Sequence, residues 1–325
     1  MGVELYISEL NGVSHYIPAV EEGIELLWER HGTPGKIRFS VLFDDLLKID
    51  EGMPVSLKVD GKNVFYGFVF SKKEDKKGIV EITAYDQLRY LKNKDTYIYE
   101  NKTASQVIKM FADDFKLKVG SLADTEFIIQ SRVEDNVTLF DMIENALDIT
   151  LQNKGRMFVM YDDFGAITLK EISDMKVGGD SGGYLLIDEE SAENFEYEST
   201  IDVQTYNQIK LIDNNSKDSS RLVSIAKDSS HINQWGLLQY FGTISKGEDS
   251  EDKANKLLEL YNKKTRNLRI VGAFGDIRVR GGSLVLVNLK LHDMKLQNFM
   301  LVEKVVHKFK HEEHFMDLTL RGGGL

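Results

Sequence analysis

Residues 82–99 read ITAYDQLRYLKNKDTYIY, and the way this stretch divides decides the fold. Its first part completes an alternating strand, with Val80, Ile82 and Ala84 on one face. The period of two then breaks at Tyr85-Asp86. Tyr85 and Leu88 are three apart, and Leu91 continues the same face, which predicts a short helix. Asp86 precedes that helix and is placed to cap it, its carboxylate accepting amide hydrogens from the first turn. The stretch therefore marks a passage from a β-rich region into something different. Nothing in it could serve as a nucleophile-and-base pair.

The region before this passage, residues 1–93, reads as mostly β. Ile37, Phe39, Val41 and Phe43 alternate with Arg38, Ser40 and Leu42. Val55, Leu57 and Val59 form a second run, and a third starts at Val64 after Asp60-Gly61-Lys62-Asn63. Asp-Gly between alternating runs predicts a hairpin, since both residues tolerate the positive φ such turns demand. Short strands joined by turns favour a small antiparallel barrel or sandwich.

Residues 94–171 change character. Thr103-Ala-Ser-Gln106 is a capping-box pattern leading into Val107, Ile108, Phe111 and Phe115 at helical spacing. Thr138 opens a second helix carrying Phe140, Ile143 and Leu147 on one face and ending near Gly155. A hairpin over residues 157–169 completes a predicted α+β module. Residues 172–195 are rich in glycine and acids and read as a connector or exposed loop. Strands return over 196–325, at 205–211, 221–226, 284–287, 299–306 and 316–320. One helix interrupts them at about 250–265, capped by Asp249 or Ser250 and burying Ala254, Leu257, Leu258 and Tyr261.

Composition narrows the function classes. The 325 residues, 42% hydrophobic and 29% charged, suit a globular protein of two or three domains. A net charge of −11 argues against a nucleic-acid-binding surface, which needs clustered cations. There are no cysteines, which excludes disulfides and thiolate metal sites and fits folding in a reducing cytoplasm. The N-terminus has no basic-then-apolar secretory pattern, and no apolar run approaches the ~20 residues that span a bilayer.

Four groups of residues carry a possible chemistry. Gly179-Asp180-Ser181-Gly182-Gly183 matches the nucleophile motif of chymotrypsin-like proteases, with His31 and Asp86 in the right chain order. A triad is defined by geometry, however, and His31 lies in the turn-like Arg-His-Gly-Thr-Pro-Gly. His307, His311 and His314 would share a face on a helix, but the local pattern is a hairpin whose tip would splay them in solvent. The paired acids Asp44-Asp45, Asp113-Asp114, Asp162-Asp163 and Glu189-Glu190 would have to face one another across a cleft to hydrolyse a glycoside. Residues 272–282, GAFGDIRVRGG, lack the helix a nucleotide-binding loop requires and read as two turns flanking a short β segment at 276–279. No catalytic, cofactor-binding or metal-binding residue is predicted. A carbohydrate-binding module would want exposed aromatic platforms, whereas Trp28 and Trp235 both sit in β-like segments.

Residues 82–99, with Trp28-Glu29-Arg30, VFYGFV at 64–69, TLFDMI at 138–143 and Gln234-Trp235-Gly236, resemble the baseplate hub proteins of contractile phage tails. The version found in PBSX-like prophages and phage-tail bacteriocins is the closer likeness. The resemblance runs along nearly the whole chain. It implies a homotrimer with two tube-protein-like antiparallel β-barrel domains per subunit, adapting the hexameric tail tube to the trimeric central spike. The α+β module between them would face the spike or peripheral baseplate components. Implied partners are the tail tube protein, the spike protein and other baseplate and LysM-type tail proteins. The implied location is the tail baseplate of a virion or bacteriocin particle. Trp28, Tyr85, Asp86, Leu88, Tyr90, Leu91 and Trp235 are the structural or interface candidates. No enzyme domain is expected after Leu325, so a wall-degrading enzyme would be a separate polypeptide. The rival reading is a tail-associated peptidoglycan hydrolase or protease.

Overall fold

The computed structural model describes residues 1–9, 15–42, 48–179, 182–213, 223–244, 248–291 and 294–322. The chain begins with β1 (Val3–Ser8), β2 (His15–Tyr16), β3 (Val20–Glu29), β4 (Lys36–Leu42), β5 (Pro54–Val59), β6 (Lys62–Glu74) and β7 (Ile79–Tyr85). Strand alternation buries one side of each: in β4, Ile37, Phe39 and Val41 point inward while Arg38 and Leu42 are exposed. Asp60 and Gly61 both take positive φ, 48° and 74°, and close the β5–β6 hairpin as their sequence demands.

A 3-10 helix, Gln87–Lys92, follows β7. Asp86 caps it, accepting the Leu88 amide at 3.0 Å. The α+β module then contains β8 (Lys94–Lys102), α1 (Ala104–Asp114), β9 (Val119–Leu122), β10 (Ile129–Thr138), α2 (Leu139–Lys154), β11 (Phe158–Asp162) and β12 (Ile167–Glu171). Thr103 and Gln106 form the predicted capping box of α1, and α2 ends at Gly155 with φ 70°. The module has its own core of Leu88, Leu91, Phe111, Leu139, Ile143 and Ile167. Leu88 is 3% exposed within it. Leu88→Ala is expected to cost about 2–5 kcal/mol, mostly through the cavity left behind, read as a lowered denaturation midpoint.

After β13 (Leu186–Asp188) and β14 (Asn194–Thr200) comes a smaller unit: β15 (Gln208–Asp213), β16 (Val223–Lys227), α3 (Ser229–Trp235), β17 (Gln239–Ile244) and α4 (Ser250–Tyr261). Its three strands form a separate sheet, covered on one face by α4 through Ala254 and Leu257. The Thr205 hydroxyl donates to the Lys263 carbonyl at 3.1 Å, tying the entry of this unit to its exit. The expected single inserted helix is therefore part of a larger inserted unit. Its sheet was hidden because β15 and β17 pair in parallel from positions about 30 residues apart.

The chain closes with β18 (Thr265–Phe274), β19 (Leu284–Lys290), β20 (Lys295–Lys310) and β21 (Glu313–Gly322). Among the described residues, thirteen strands make one sheet, running β14-β18-β21-β20-β3-β4-β7-β6-β5-β1-β2, with β13 and β19 attached beside β20. The β-rich character expected from sequence is present, but the two β regions are not separate: β20 pairs with β3 and joins the N- and C-terminal β regions into a single ladder, and the strand pairings close no barrel among the described residues. One hydrophobic core accordingly mixes Leu5, Leu26 and Ile82 with Ile270, Val305 and Leu320.

Two further expectations change. Part of the glycine- and acid-rich stretch is not a free loop: β13 pairs in parallel with β19, and Val177 and Ile187 are buried. Residues 276–279 form a turn rather than a β segment, closed by the Val279 amide donating to the Asp276 carbonyl at 3.0 Å.

Candidate functional site

The segments predicted as separate features meet where the large sheet joins the α+β module. Trp28 comes from the end of β3, Asp86 from the cap after β7, Tyr161 and Asp162 from β11, and Arg280 from the turn before β19. The Arg280 guanidinium lies 4.8 Å from the Trp28 ring and 4.3 Å from the Tyr161 ring. Its Nη1 donates to the Asp162 carbonyl at 3.1 Å. A planar cation between two aromatic faces is held more tightly than a lysine would be.

Asp86 is buried beside this sandwich. Its Oδ2 accepts the Gly35 amide at 2.8 Å while Oδ1 caps the helix. Burial raises its pKa well above the usual carboxylate value, and nearby Asp162 adds to the rise. The two amides and the Arg280 charge work the other way. Burial likewise raises Asp162, while the Gly165 amide bonded to its Oδ1 at 2.7 Å, the Gln87 side chain and the Arg280 charge work the other way. Two carboxyls of raised pKa is a pattern catalysis also uses. Here both are built into backbone turns, and neither lines the charged cleft described below.

Gly35 explains why the sequence has glycine at this point. A Cβ there would stand 2.8 Å from the Trp28 ring and closer still to the Asp86 carboxylate. Gly35→Ala is expected to cost about 2–4 kcal/mol through overpacking and a displaced cap, measured as a lower unfolding temperature.

His307 lies beneath Trp28, its ring edge-to-face at 5.4 Å. Its Nε2 faces the Val279 carbonyl at 2.8 Å and must donate to it, leaving Nδ1 to accept from His314 Nε2 at 2.9 Å. Burial, and then the neighbouring His314, lower the His307 pKa to about 3. Burial lowers His314 to about 4. The expected splaying of three solvated histidines is thus corrected: only His311 sits on the exposed β20–β21 turn. Alternation along β20 and β21 brings His307 and His314 to the same side of the sheet. No group of three or more His, Cys, Asp or Glu that could hold a metal occurs among the described residues.

Below the junction, a cleft of about 470 Å³ opens between α2, the exit of the inserted unit and the β20–β21 pair. Glu303 lies between Arg30 (Nε 2.7 Å, Nη2 3.1 Å) and Arg321 (Nε 2.8 Å). Burial pushes Glu303 upward, but the Arg30 hydrogen bond and the two guanidinium charges outweigh it and hold the pKa below the usual value. His31 Nδ1 is 2.6 Å from Glu144.

This geometry dismantles the triad. His31 pairs with Glu144 and Asp86 with backbone amides, so the two are not partners, and Asp180 and Ser181 lie outside the described residues. The adjacent acids are also engaged separately. Asp113 pairs with Lys109 at 3.3 Å, Asp114 accepts the Tyr97 hydroxyl at 2.8 Å, and Glu189 accepts the Lys290 amide at 2.9 Å. Asp44 and Asp45 lie outside the described residues, as does Phe43.

Of the residues selected from sequence, six gather at this junction. Trp28, Asp86, Leu88 and Leu91 are buried, while Tyr85 and Tyr90 pack on Phe70 at 5.5 and 6.0 Å on the outer side. Trp235 is elsewhere. It lies at the end of α3, not in a strand, stacked on His231 at 3.9 Å. Arg280 and the His307–His314 contact were missed, although an arginine set directly before Gly281-Gly282 was a signal. Gly281 lets that turn press against the Glu29 and Arg30 backbone, where a Cβ would not fit.

The model of the YQBQ-like family matches residues 24–321. The chain belongs to the YQBQ-like family. Within it, the chain is similar to the phage-like element PBSX protein XkdQ of Bacillus subtilis (strain 168), 28% identical over 316 residues, covering 94% of each chain. The fold is similar to that of a tail protein from Neisseria meningitidis MC58, at a TM-score of 0.71 and 13% identity over 99% of this chain and 97% of that one. It is also similar to an E. coli type VI secretion component with structural similarity to the T4 bacteriophage tail proteins gp27 and gp5. That match has a TM-score of 0.57 and 11% identity, over 98% of this chain and 76% of that one. The YQBQ-like chain therefore has a β-rich tail-protein fold.

Proposed function

We propose that this YQBQ-like protein is a structural hub of a contractile phage tail or phage-tail bacteriocin, adapting the tail tube to the central spike. The observation that carries the reading is the whole-chain likeness to the PBSX protein XkdQ, joined to a fold likeness spanning 98–99% of the chain with tail and tail-like proteins. In this reading the two β regions of the large sheet act as the tube-like parts of a homotrimer. The α+β module faces the spike or peripheral baseplate proteins, LysM-type tail proteins among them, and the particle is assembled in the bacterial cytoplasm.

The joints described above support a load-bearing rather than a catalytic role. Arg280, Asp86 and Glu303 are each engaged by groups from distant parts of the chain, which stiffens the contact between modules. The proposal assigns this protein no enzymatic activity. The test is the mass of the purified chain mixed with the spike protein of the same tail. Three copies per spike trimer are expected, and absence of any complex, or six copies, would overturn the proposal.

A further inference from the structure

The two smaller units each leave one sheet face bare, and the two faces are complementary. In the inserted unit, α4 covers the side of the sheet that carries Ile209, Leu211 and Ile244. The register places Ile225, Lys210 and Phe241 in one row across the opposite side. Ile225 is 55% exposed and Phe241 57%, and Val223 is exposed beside them. Lys210 and Lys227 are the charged groups of this face, with no carboxylate among its described residues. An open apolar sheet face with a cationic rim marks an interaction surface.

The α+β module offers the counterpart. In its β8–β10 ribbon Tyr99 is buried, while Ile98 and Val133 stand directly opposite each other on the outer side, 69% and 62% exposed. Their neighbours along the strands are Thr96, Glu100 and Ser131, and Asp135 accepts the Thr96 hydroxyl at 2.7 Å, so two carboxylates stand nearest this apolar pair while Lys94 lies beyond Thr96 at the strand's start. Both faces are open in one chain, so neither is covered by the other within it.

We propose that these faces pair between copies: the ribbon of one copy docks on the inserted-unit sheet of the next, Ile98 and Val133 against Ile225 and Phe241, Glu100 and Asp135 toward Lys210 and Lys227. Such a contact is heterologous, using two different patches, and so joins copies head to tail as a ring requires. Charge complementarity selects the register and disfavours pairing of like faces, because two ribbons would oppose carboxylates and two sheets would oppose lysines. The inference rests on the ring role proposed above and specifies which surfaces build it.

The chain has no cysteines, which makes disulfide trapping clean. Ile98→Cys and a size-tagged Phe241→Cys variant are mixed and oxidised, both as concentrated purified chains and in tails assembled from cells making both. Disulfide-linked pairs of mixed composition are expected to exceed either self-linked pair several-fold. Adding Lys210→Glu to the Phe241→Cys chain should cut the mixed yield by about two- to fivefold, and adding Glu100→Lys to its partner should restore it. Self-linked pairs in equal or greater yield, or a yield indifferent to both charge reversals, would overturn the pairing. Tails that incorporate the chain but give no mixed link refute this interface and leave the hub role standing. Tails that lack the chain refute the hub role itself.

Discussion

Arg280→Ala is expected to lower folding stability by about 3–5 kcal/mol, the largest single loss anticipated in this chain. The substitution empties the space between the Trp28 and Tyr161 rings and removes the donor to the Asp162 carbonyl. It also strips the nearby cation from two carboxyls whose burial already disfavours ionisation. Arg280→Lys should recover the charge but not the planar stacking or the forked donor geometry, and so should fall between wild type and Ala. Urea denaturation at neutral pH reads both effects. A loss below about 1 kcal/mol for Arg280→Ala would mean that the junction is held by the sheet alone.

Acidification is expected to be the second large perturbation. His307 is neutral in the folded chain, with a pKa of about 3, against an ordinary histidine value of 6.5. Its folded value is depressed, so the stability it contributes is fully present above 6.5 and drains away as pH falls from there toward about 3. His314, lowered to about 4, acts in the same direction. At most, the His307 difference alone corresponds to roughly 4–5 kcal/mol. Asp86 has the opposite sign. Its raised pKa gives a contribution present below the ordinary carboxylate value and lost as pH rises. The expected result is a wild-type stability that falls steeply between about pH 6.5 and 4, and a His307→Gln variant that is less stable near neutrality but falls less steeply. Equal slopes in the two proteins would show that other carboxylates, not this histidine pair, govern the acid transition.

How far the sequence reveals this architecture depends on how local each determinant is. The caps at Asp86, Thr103 and Thr138, the Asp60-Gly61 turn and the apolar stripes of α1, α2 and α4 were all legible. Each depends on neighbours within a few positions. The fusion of the β regions was not legible, because Val305 pairs with Trp28 across most of the chain and no periodicity records a partner. Nor was the sheet of the inserted unit, whose parallel β15–β17 pair needs a long crossover. The junction itself was half legible. The segment 85–91 identified one wall of it, and Trp28 another. Arg280 was hidden in a loop that looked like bare turn sequence, and its meaning came only from the aromatic rings supplied by β3 and β11. His307 read as a member of a surface triplet because alternation alone does not say which side of β20 is covered.

The central claim is that this chain forms a structural ring at the spike end of a tail tube. Reconstruction of the tail tip from assembled particles tests it most directly. The account predicts three copies of the chain in one layer, joined to the tube on one side and the spike on the other, with the large sheet facing the tube axis. Six copies in that layer, or a particle whose tube meets its spike without this chain, would contradict it.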